Sequence, residues 1–239
     1  MHYQLLLIDS QYINIIIYLL IIFLLLIFYI VLKKYIKNKR ILKAGIIGEQ
    51  NVQNVLKKLN QKKYYIFNDI ILSHPNKRTS QIDHLIISRK GIFVIETKNY
   101  SGVLYGDVKE KYWIHISGKN RHTVYNIIFQ NQGHIKCVKN KIKDILLKEL
   151  DEKQYEKFFV SLLLFNENCK VKIKRPLFYK KNFKICKISS LIKNIKKRHR
   201  FNIISKRRYI ELISEIEKNN ISSKQNLKKH IYQIKKIDN

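Results

Sequence analysis

Cysteine and acidic residues are both scarce in this chain, and each shortage limits the classes of protein to which the chain can belong. Cys137, Cys169 and Cys186 are widely spaced and form no CxxC pair, which argues against a disulfide framework or a zinc site and favours a reducing compartment. Only 17 of the 239 residues are acidic, against 48 Lys and Arg, so the formal net charge is +31. A surplus of this size is typical of proteins that bind nucleic acid or anionic membranes.

The N-terminal region lacks the marks of a cleaved signal peptide. No Lys or Arg precedes the apolar run at residues 15–32, and no small-residue cleavage site follows it. As a helix the run would span about 27 Å, close to the thickness of a bilayer's hydrocarbon core. Basic residues begin at Lys33, which predicts a short extracytoplasmic segment at residues 1–11, a transmembrane helix at 12–34, a basic linker at 35–44 and a cytoplasmic remainder. A buried helix of a soluble protein is the alternative.

Residues 81–100, QIDHLIISRKGIFVIETKNY, read as a β-hairpin. The runs at 85–88 and 92–95 are apolar on both faces, which is typical of central strands. If Arg89 and Lys90 form a two-residue loop, counting outward places Asp83 directly opposite Glu96. A bulge at Gly91 would instead shift the pairing by one residue and send Asp83 elsewhere. We expect the first arrangement.

Asp83, Glu96 and Lys98 would then lie at one end of the hairpin. Two ionised carboxylates about 5 Å apart repel by about 3 kcal/mol at an effective dielectric constant near 20. A divalent cation and Lys98 are the candidates to offset that repulsion. The alternative is an edge hairpin with a solvated Asp83 and a structural pair between Glu96 and Lys98.

Glu49 lies on the apolar stripe of a helix predicted at residues 46–59, and therefore faces the core. Two interpretations remain open. In the first, Glu49 lies in the first helical turn, where the helix dipole favours an acid. In the second, Glu49 is a third carboxylate directed at the same site as Asp83 and Glu96.

The remaining pattern predicts strands at residues 64–72, 102–106, 112–116, 158–165 and 183–188, and helices at 126–150, 190–197 and 205–218. On the first of these helices we expect Gln130 to reach the rim of the site and His134 to be a partly exposed flank. From Lys170 onward, 22 Lys or Arg face four acids. This basic region could be a solvated surface, or it could bind phosphate backbones or the anionic inner leaflet.

Four segments together resemble the nuclease-related domain family, a branch of the PD-(D/E)xK nuclease superfamily. They are GIIGEQNVQNVL at residues 45–56, QIDHLIIS at 81–88, GIFVIETKNYSG at 91–102 and NIIFQNQGHI at 126–135. The chain departs from the family pattern at Asn126-Ile127, where the family usually has Asn-Pro. That loss removes some pre-organisation of a helix start but no catalytic group.

The resemblance covers residues 45–150 and implies an α/β fold with a restriction-endonuclease-like core, a mixed central sheet flanked by helices. With its flanking strands we expect this domain to span residues 45–190, followed by a basic helical region at 191–239 that lies outside the resemblance. The resemblance implies Asp83 and Glu96 as metal ligands, Lys98 as the catalytic lysine and Gln130 as a polar rim residue. It also implies Glu49 as an accessory acid, which could bind a second cation or position the attacking water. The expected protein is a membrane-anchored, cytoplasm-facing nuclease that uses Mg²⁺ or Mn²⁺, with DNA favoured over RNA. The alternative is an inactive tethered module that binds nucleic acid or recruits a partner.

Overall fold

A computed structural model describes residues 2–76, 78–176, 183–198 and 201–222, with backbone alone for residues 2–11. The chain divides into two compact units, Met1–Ile46 and Ile47–Asn239. Of the predicted basic C-terminal region, residues 199–200 and 223–239 lie outside the described residues.

Helix α1, His2–Leu56, continues without a break through the predicted linker at residues 35–44. That segment contains neither Pro nor Gly and consists largely of helix formers such as Lys, Leu and Ala, so nothing in it ends the helix. Within the first unit, the apolar side chains of residues 15–32 are exposed along the whole run. By length and composition this part of α1 can cross a membrane, although a signal sequence meets the same criteria.

The second unit is built on a mixed five-stranded sheet, which confirms the predicted α/β core. Its strands are β1 (Tyr64–Ser73), β2 (Thr79–Ser88), β3 (Gly91–Lys98), β7 (Phe159–Phe165) and β9 (Phe183–Lys187), in the order β1-β2-β3-β7-β9. β1, β2 and β3 pair in antiparallel fashion, whereas β3, β7 and β9 are parallel. β3 therefore lies at the centre, as its continuous apolar sequence predicted.

A second sheet contains β4 (Gly102–Asp107), β5 (Tyr112–Ser117), β6 (Asn120–Tyr125) and β8 (Cys169–Lys174), in the order β6-β5-β4-β8. β4 and β5 match the predicted strands, but β6 and β8 were not predicted. β6 is almost entirely polar, and β8 alternates Lys with apolar residues inside a region whose charge dominates the pattern.

Helices cover both faces of the central sheet. α2 (Ile127–Leu146) and α5 (Lys206–Asn219) pack on one face, and the end of α1 packs with α4 (Leu191–Lys196) on the other. A short helix, α3 (Glu152–Phe158), and a 3-10 turn, Ile188–Ser190, complete the described elements. Asn126 caps α2 by accepting the Ile128 N–H at 2.9 Å, so the helix starts where predicted without the usual proline.

Candidate active site

The predicted hairpin register is confirmed. Arg89 and Lys90 form the loop between β2 and β3, Ser88 pairs with Gly91, and the ladder continues to the pair of His84 with Ile95. The Ser88 hydroxyl donates to the Gly91 carbonyl at 2.8 Å, and Gly91 has a φ of +152°, which is unfavourable for residues with a side chain. Beyond this ladder, Asp83 and Glu96 are near enough for the charge of Glu96 to raise the pKa of Asp83.

Strand β1 changes face at Asp69, a feature that the sequence did not reveal. In a regular strand, only residues separated by an even number of positions share a face. Phe67 and Ile70 are three residues apart, yet both belong to the core on the α2 side. The change coincides with a φ of +51° at Asp69, a left-handed conformation that Asp tolerates better than most residues. Gln81 Nε2 donates to the exposed Asp69 Oδ1 at 2.5 Å.

Strand β2 makes the matching change between Ile82 and Leu85, which flank Asp83 and His84. The register of β1 with β2 is the same before and after this point, but Asp69 and Asp83 drop out of the ladder. The paired irregularity frees the Asp83 side chain to accept the Thr97 N–H at 2.7 Å. Asp83 is thereby held against the end of β3, where Glu96 and Lys98 emerge.

Glu96 is almost fully buried and lies between two basic side chains. Lys98 Nζ is 2.6 Å from Glu96 Oε1, and His134 Nε2 on α2 is 3.2 Å from Glu96 Oε2. The contact with His134 lacks the alignment of a hydrogen bond, so Oε2 remains a buried oxygen without a donor directed at it. A buried carboxylate oxygen in that state is available to a ligand.

The pKa values of the two neighbouring carboxyl groups, Asp83 and Glu96, are shifted in opposite directions. Burial, followed by the charge of Glu96, raises the pKa of Asp83 well above 3.8, although Lys98 and the Thr97 N–H act against the shift. Burial also disfavours ionisation of Glu96, but Lys98 and His134 outweigh it and lower the Glu96 pKa to about 2. Glu96 is therefore ionised at neutral pH, and Asp83 is the acid that is harder to ionise.

Lys98 remains a cation in this arrangement. Burial alone would lower its pKa, but the Glu96 carboxylate, with Tyr100 and Asp83, raises it above the ordinary value. The amine is therefore suited to stabilising negative charge and unsuited to accepting a proton.

Glu49 is half-buried near the end of α1 and belongs electrostatically to the same site. Burial, then the charges of Asp69 and Glu96, raise its pKa, while Lys98 acts in the opposite sense. The close approach of α1 depends on Gly48, because a Cβ at that position would lie 2.6 Å from the Cβ of Asn99. Because α1 begins at His2, Glu49 does not lie in a first helical turn, and its role as an acid directed at the hairpin site stays a prediction.

One prediction on α2 is wrong and another is left without support. His134 is not a partly exposed flank: it is buried, and it contacts Glu96. Gln130 is half-buried one turn earlier, and among the described contacts none joins its side chain to the acids. Asn131 instead fixes the helix to the sheet, since its buried Nδ2 donates to the Val94 carbonyl at 3.0 Å and to Ser161 Oγ at 2.8 Å.

The donor set fits a hydrated hard cation better than a closed metal site. Across residues 2–76, 78–176, 183–198 and 201–222, no three His, Cys, Asp or Glu side chains converge to hold a metal by themselves. Mg²⁺ usually needs only one or two protein carboxylates and completes its shell with water and substrate phosphate, and Mn²⁺ accepts similar oxygen ligands. Asp83 and Glu96, with the free Oε2 of the latter, meet that requirement.

Comparisons with known proteins identify the family of the chain. The sequence profile described as "nuclease-related domain" matches residues 44–166, slightly more than half of the chain. An uncharacterized protein of Bacillus anthracis is 37% identical over 94 residues, which are 39% of this chain and 44% of that protein. The matched part thus spans less than half of the relative's length, and no solved structure matches the chain. The chain belongs to the nuclease-related domain family.

Proposed function

We propose that the protein is a metal-dependent nuclease that hydrolyses phosphodiester bonds, with DNA as the favoured substrate. The observation that carries the proposal is the proximity of Asp83, Glu96 and Lys98 at the end of the central hairpin. Asp83 accepts the N–H of Thr97, the residue after Glu96, at 2.7 Å, and Lys98 is paired with Glu96 at 2.6 Å. Membership of the nuclease-related domain family supports the same reaction class.

Each side chain has a role that follows from its charge. Asp83 and Glu96 would hold Mg²⁺ or Mn²⁺, which supplies a polarised phosphate oxygen and a more acidic water when bound. Protonated Lys98 stabilises the negative charge that develops on the phosphate oxygens. Glu49, an acid with a raised pKa, orients the attacking water and accepts its proton on a carboxylate oxygen.

The full chain in a neutral detergent provides the test. We expect cleavage of single-stranded and duplex DNA in Mg²⁺ or Mn²⁺ and none in EDTA. Asp83→Asn and Lys98→Met should each abolish it, whereas Glu156→Gln, at an exposed acid paired only with Lys139 among the described ion pairs, should cleave like the wild type. Equal cleavage by the wild type and Asp83→Asn would contradict the proposal.

A second candidate is a tethered module that binds nucleic acid or a partner without cleaving. The observation that favours it is the absence, over the described residues, of three metal-ligating side chains in one place. Tight nucleic-acid binding that is unchanged by Mg²⁺, in a chain that shows no cleavage, would identify this function.

We also propose that α1 anchors the protein in the cell membrane as a single span, with the N-terminus outside and the second unit in the cytoplasm. The basic residues that begin at Lys33 support this orientation. A protease-cleavable tag fused before Met1 should be accessible on intact cells, whereas a tag after Asn239 should not be. The basic C-terminal region would add contacts to anionic lipids, which vesicles of graded phosphatidylserine content would detect.

A further inference from the structure

The second sheet has two chemically different faces. Leu104, Trp113 and Cys169 point inward and pack in a buried cluster, with Val171 and Ile173 against them. Since neighbouring residues in a strand point to opposite faces, the residues between them face outward. This alternation assigns every strand of the sheet one core face and one outer face.

Cations and aromatic rings dominate the outer face. The pairing of the four strands places on it three tyrosines, four basic residues, one acid and four uncharged residues: Tyr105, Tyr112, Tyr125, Arg121, Lys170, Lys172, Lys174, Asp107, Val103, Ile114, Ile116 and Thr123. The tyrosines are 39%, 52% and 45% exposed, in that order, although ordinary strand positions on a solvated face are polar. The acid, Asp107, forms a local hydrogen bond, in which its Oδ1 accepts the Lys109 N–H at 2.8 Å.

The rings and cations lie side by side. Lys172 Nζ lies 5.4 Å from the centre of the Tyr105 ring, and Lys111 Nζ lies at the same distance from the Tyr112 ring. Tyr112 and Tyr125 meet edge to face, 6.1 Å apart. The three lysines of β8 follow one another at intervals of about 6.6 Å, two residues of a parallel strand.

The second sheet follows the central hairpin directly in the chain. β3 ends at Lys98, and after three intervening residues β4 begins the second sheet at Gly102. Between them, Tyr100 stacks on His115 of β5 with ring centres 4.4 Å apart, and it is close enough to Lys98 to affect that amine's charge state. Because His115 shares a face of β5 with Trp113, this stacking contact lies on the core side of the second sheet.

We propose that the outer face of the second sheet binds single-stranded nucleic acid. The row of lysines neutralises backbone phosphates, and the tyrosines provide flat apolar surfaces on which unpaired bases stack. Four-stranded sheets with exposed aromatic residues bind RNA bases in this way. A duplex hides its base faces, so it can use the lysines but not the rings. The inference extends the proposed function by naming a substrate class, yet binding at this face does not require that the acidic site cleave.

Binding is measured by fluorescence anisotropy on the full chain in neutral detergent and EDTA, with a labelled oligothymidylate of about 20 nucleotides, which exceeds the site size of small single-strand modules. Tyr105→Ala and Tyr125→Ala should each weaken binding about tenfold, whereas Tyr105→Phe and Tyr125→Phe should stay within about twofold because Phe still stacks. Duplex DNA of the same length should bind more weakly than the single strand.

The lysines are tested by the salt dependence of the same binding. Replacing the three β8 lysines by Ala should reduce the slope of log affinity against log salt by about 2, at about 0.7 per phosphate contact on single strands. A control that removes the same charge elsewhere should leave the slope unchanged; it uses the exposed residues Lys58, Lys62 and Lys63. These lysine variants keep the test decisive if a tyrosine variant fails to fold, which thermal unfolding would reveal.

Alanine and phenylalanine variants of equal affinity would overturn the inference, as would equal binding of single strand and duplex. The inference would also be overturned if phosphatidylserine vesicles bound through this face and the oligonucleotide did not displace them. Because EDTA removes any metal, binding through this face in a chain that never cleaves would uphold this inference and contradict the proposed nuclease. If the chain cleaves but these substitutions leave its binding unchanged, the proposed nuclease is upheld and this inference is contradicted.

Discussion

Replacing Asp83 by Asn is expected to stabilise the fold while it abolishes cleavage. Asp83 accepts the N–H of Thr97, the residue after Glu96, and we take the two carboxylates to be about 5 Å apart, the spacing of neighbouring side chains on one face of a sheet. Two ionised carboxylates at that separation repel by about 3 kcal/mol for an effective dielectric constant near 20. Lys98 offsets part of this repulsion, so we expect the free energy of unfolding to rise by about 1–2 kcal/mol, or about 2–8 °C in Tm for a chain of this size. Asn retains an acceptor for the Thr97 N–H.

The gain should depend on pH in a defined direction. An acid whose pKa is raised on folding binds more protons in the folded than in the unfolded state between the two pKa values. The free energy of unfolding of the wild type therefore falls as pH rises through that window. Because the pKa of Asp83 is raised well above 3.8 by burial and by Glu96, the advantage of Asn should be complete at high pH and vanish as pH falls toward 3.8.

Thermal unfolding followed by circular dichroism, on the full chain in detergent, measures the stability, and the cleavage assay uses the same samples. Asp151→Asn is the matched control. Asp151 caps α3 at the surface, where Asn caps equally well, so its stability should change little at any pH. A loss of stability for Asp83→Asn at pH 8 would mean that this carboxylate is a net stabiliser, and the electrostatic account of the site would be wrong.

Three further substitutions test the neighbouring residues. Lys98→Met should lower the free energy of unfolding by about 3 kcal/mol, because it leaves the buried Glu96 carboxylate without its cation; denaturant unfolding would show this, and an unchanged midpoint would contradict it. Asp69→Val should cost about 1–2 kcal/mol, since a β-branched residue disfavours a φ of +51°, whereas Asp69→Asn should unfold like the wild type in the same experiment. His134→Asn should raise the pKa of Glu96 and move the acid limb of the cleavage pH–rate profile to higher pH; a limb that stays in place would show that His134 does not influence that carboxylate.

The local part of the site could be predicted from the sequence. Ser88 and Gly91 enclose a two-residue loop, and a hairpin with a fixed loop has a fixed register, so counting outward sets the pairs as far as His84 with Ile95 and brings Asp83 toward Glu96. The central position of β3 followed from its apolar residues on both faces. These features depend on short-range rules that act within about 20 residues.

The contributions of Asp69 and His134 could not be predicted, because they depend on contacts distant in sequence. In the sequence, an Asp within an apolar strand suggests a turn or an edge position. The left-handed conformation of Asp69 changes the direction of the side chains in both strands only because β1 pairs with β2. His134 reads as a flank because its exposure depends on how α2 lies on the sheet, which the buried amide of Asn131 fixes. The alternation of Lys and apolar residues in β8 is a strand signal, but the high charge of the surrounding region masks it.

The distribution of charge at this site is an argument for the proposed metal-dependent function. With 48 basic residues in the chain, a fold under selection for stability alone could pair every acid with a cation. Instead, Glu96 has Lys98, Asp83 has a backbone N–H, and the pKa values of Asp83 and Glu49 are both raised above their ordinary range. Gathering acids in this way costs stability, and a divalent cation would relieve it. The unrelieved repulsion at Asp83, more than the hairpin itself, is therefore the physical argument for a metal-dependent function.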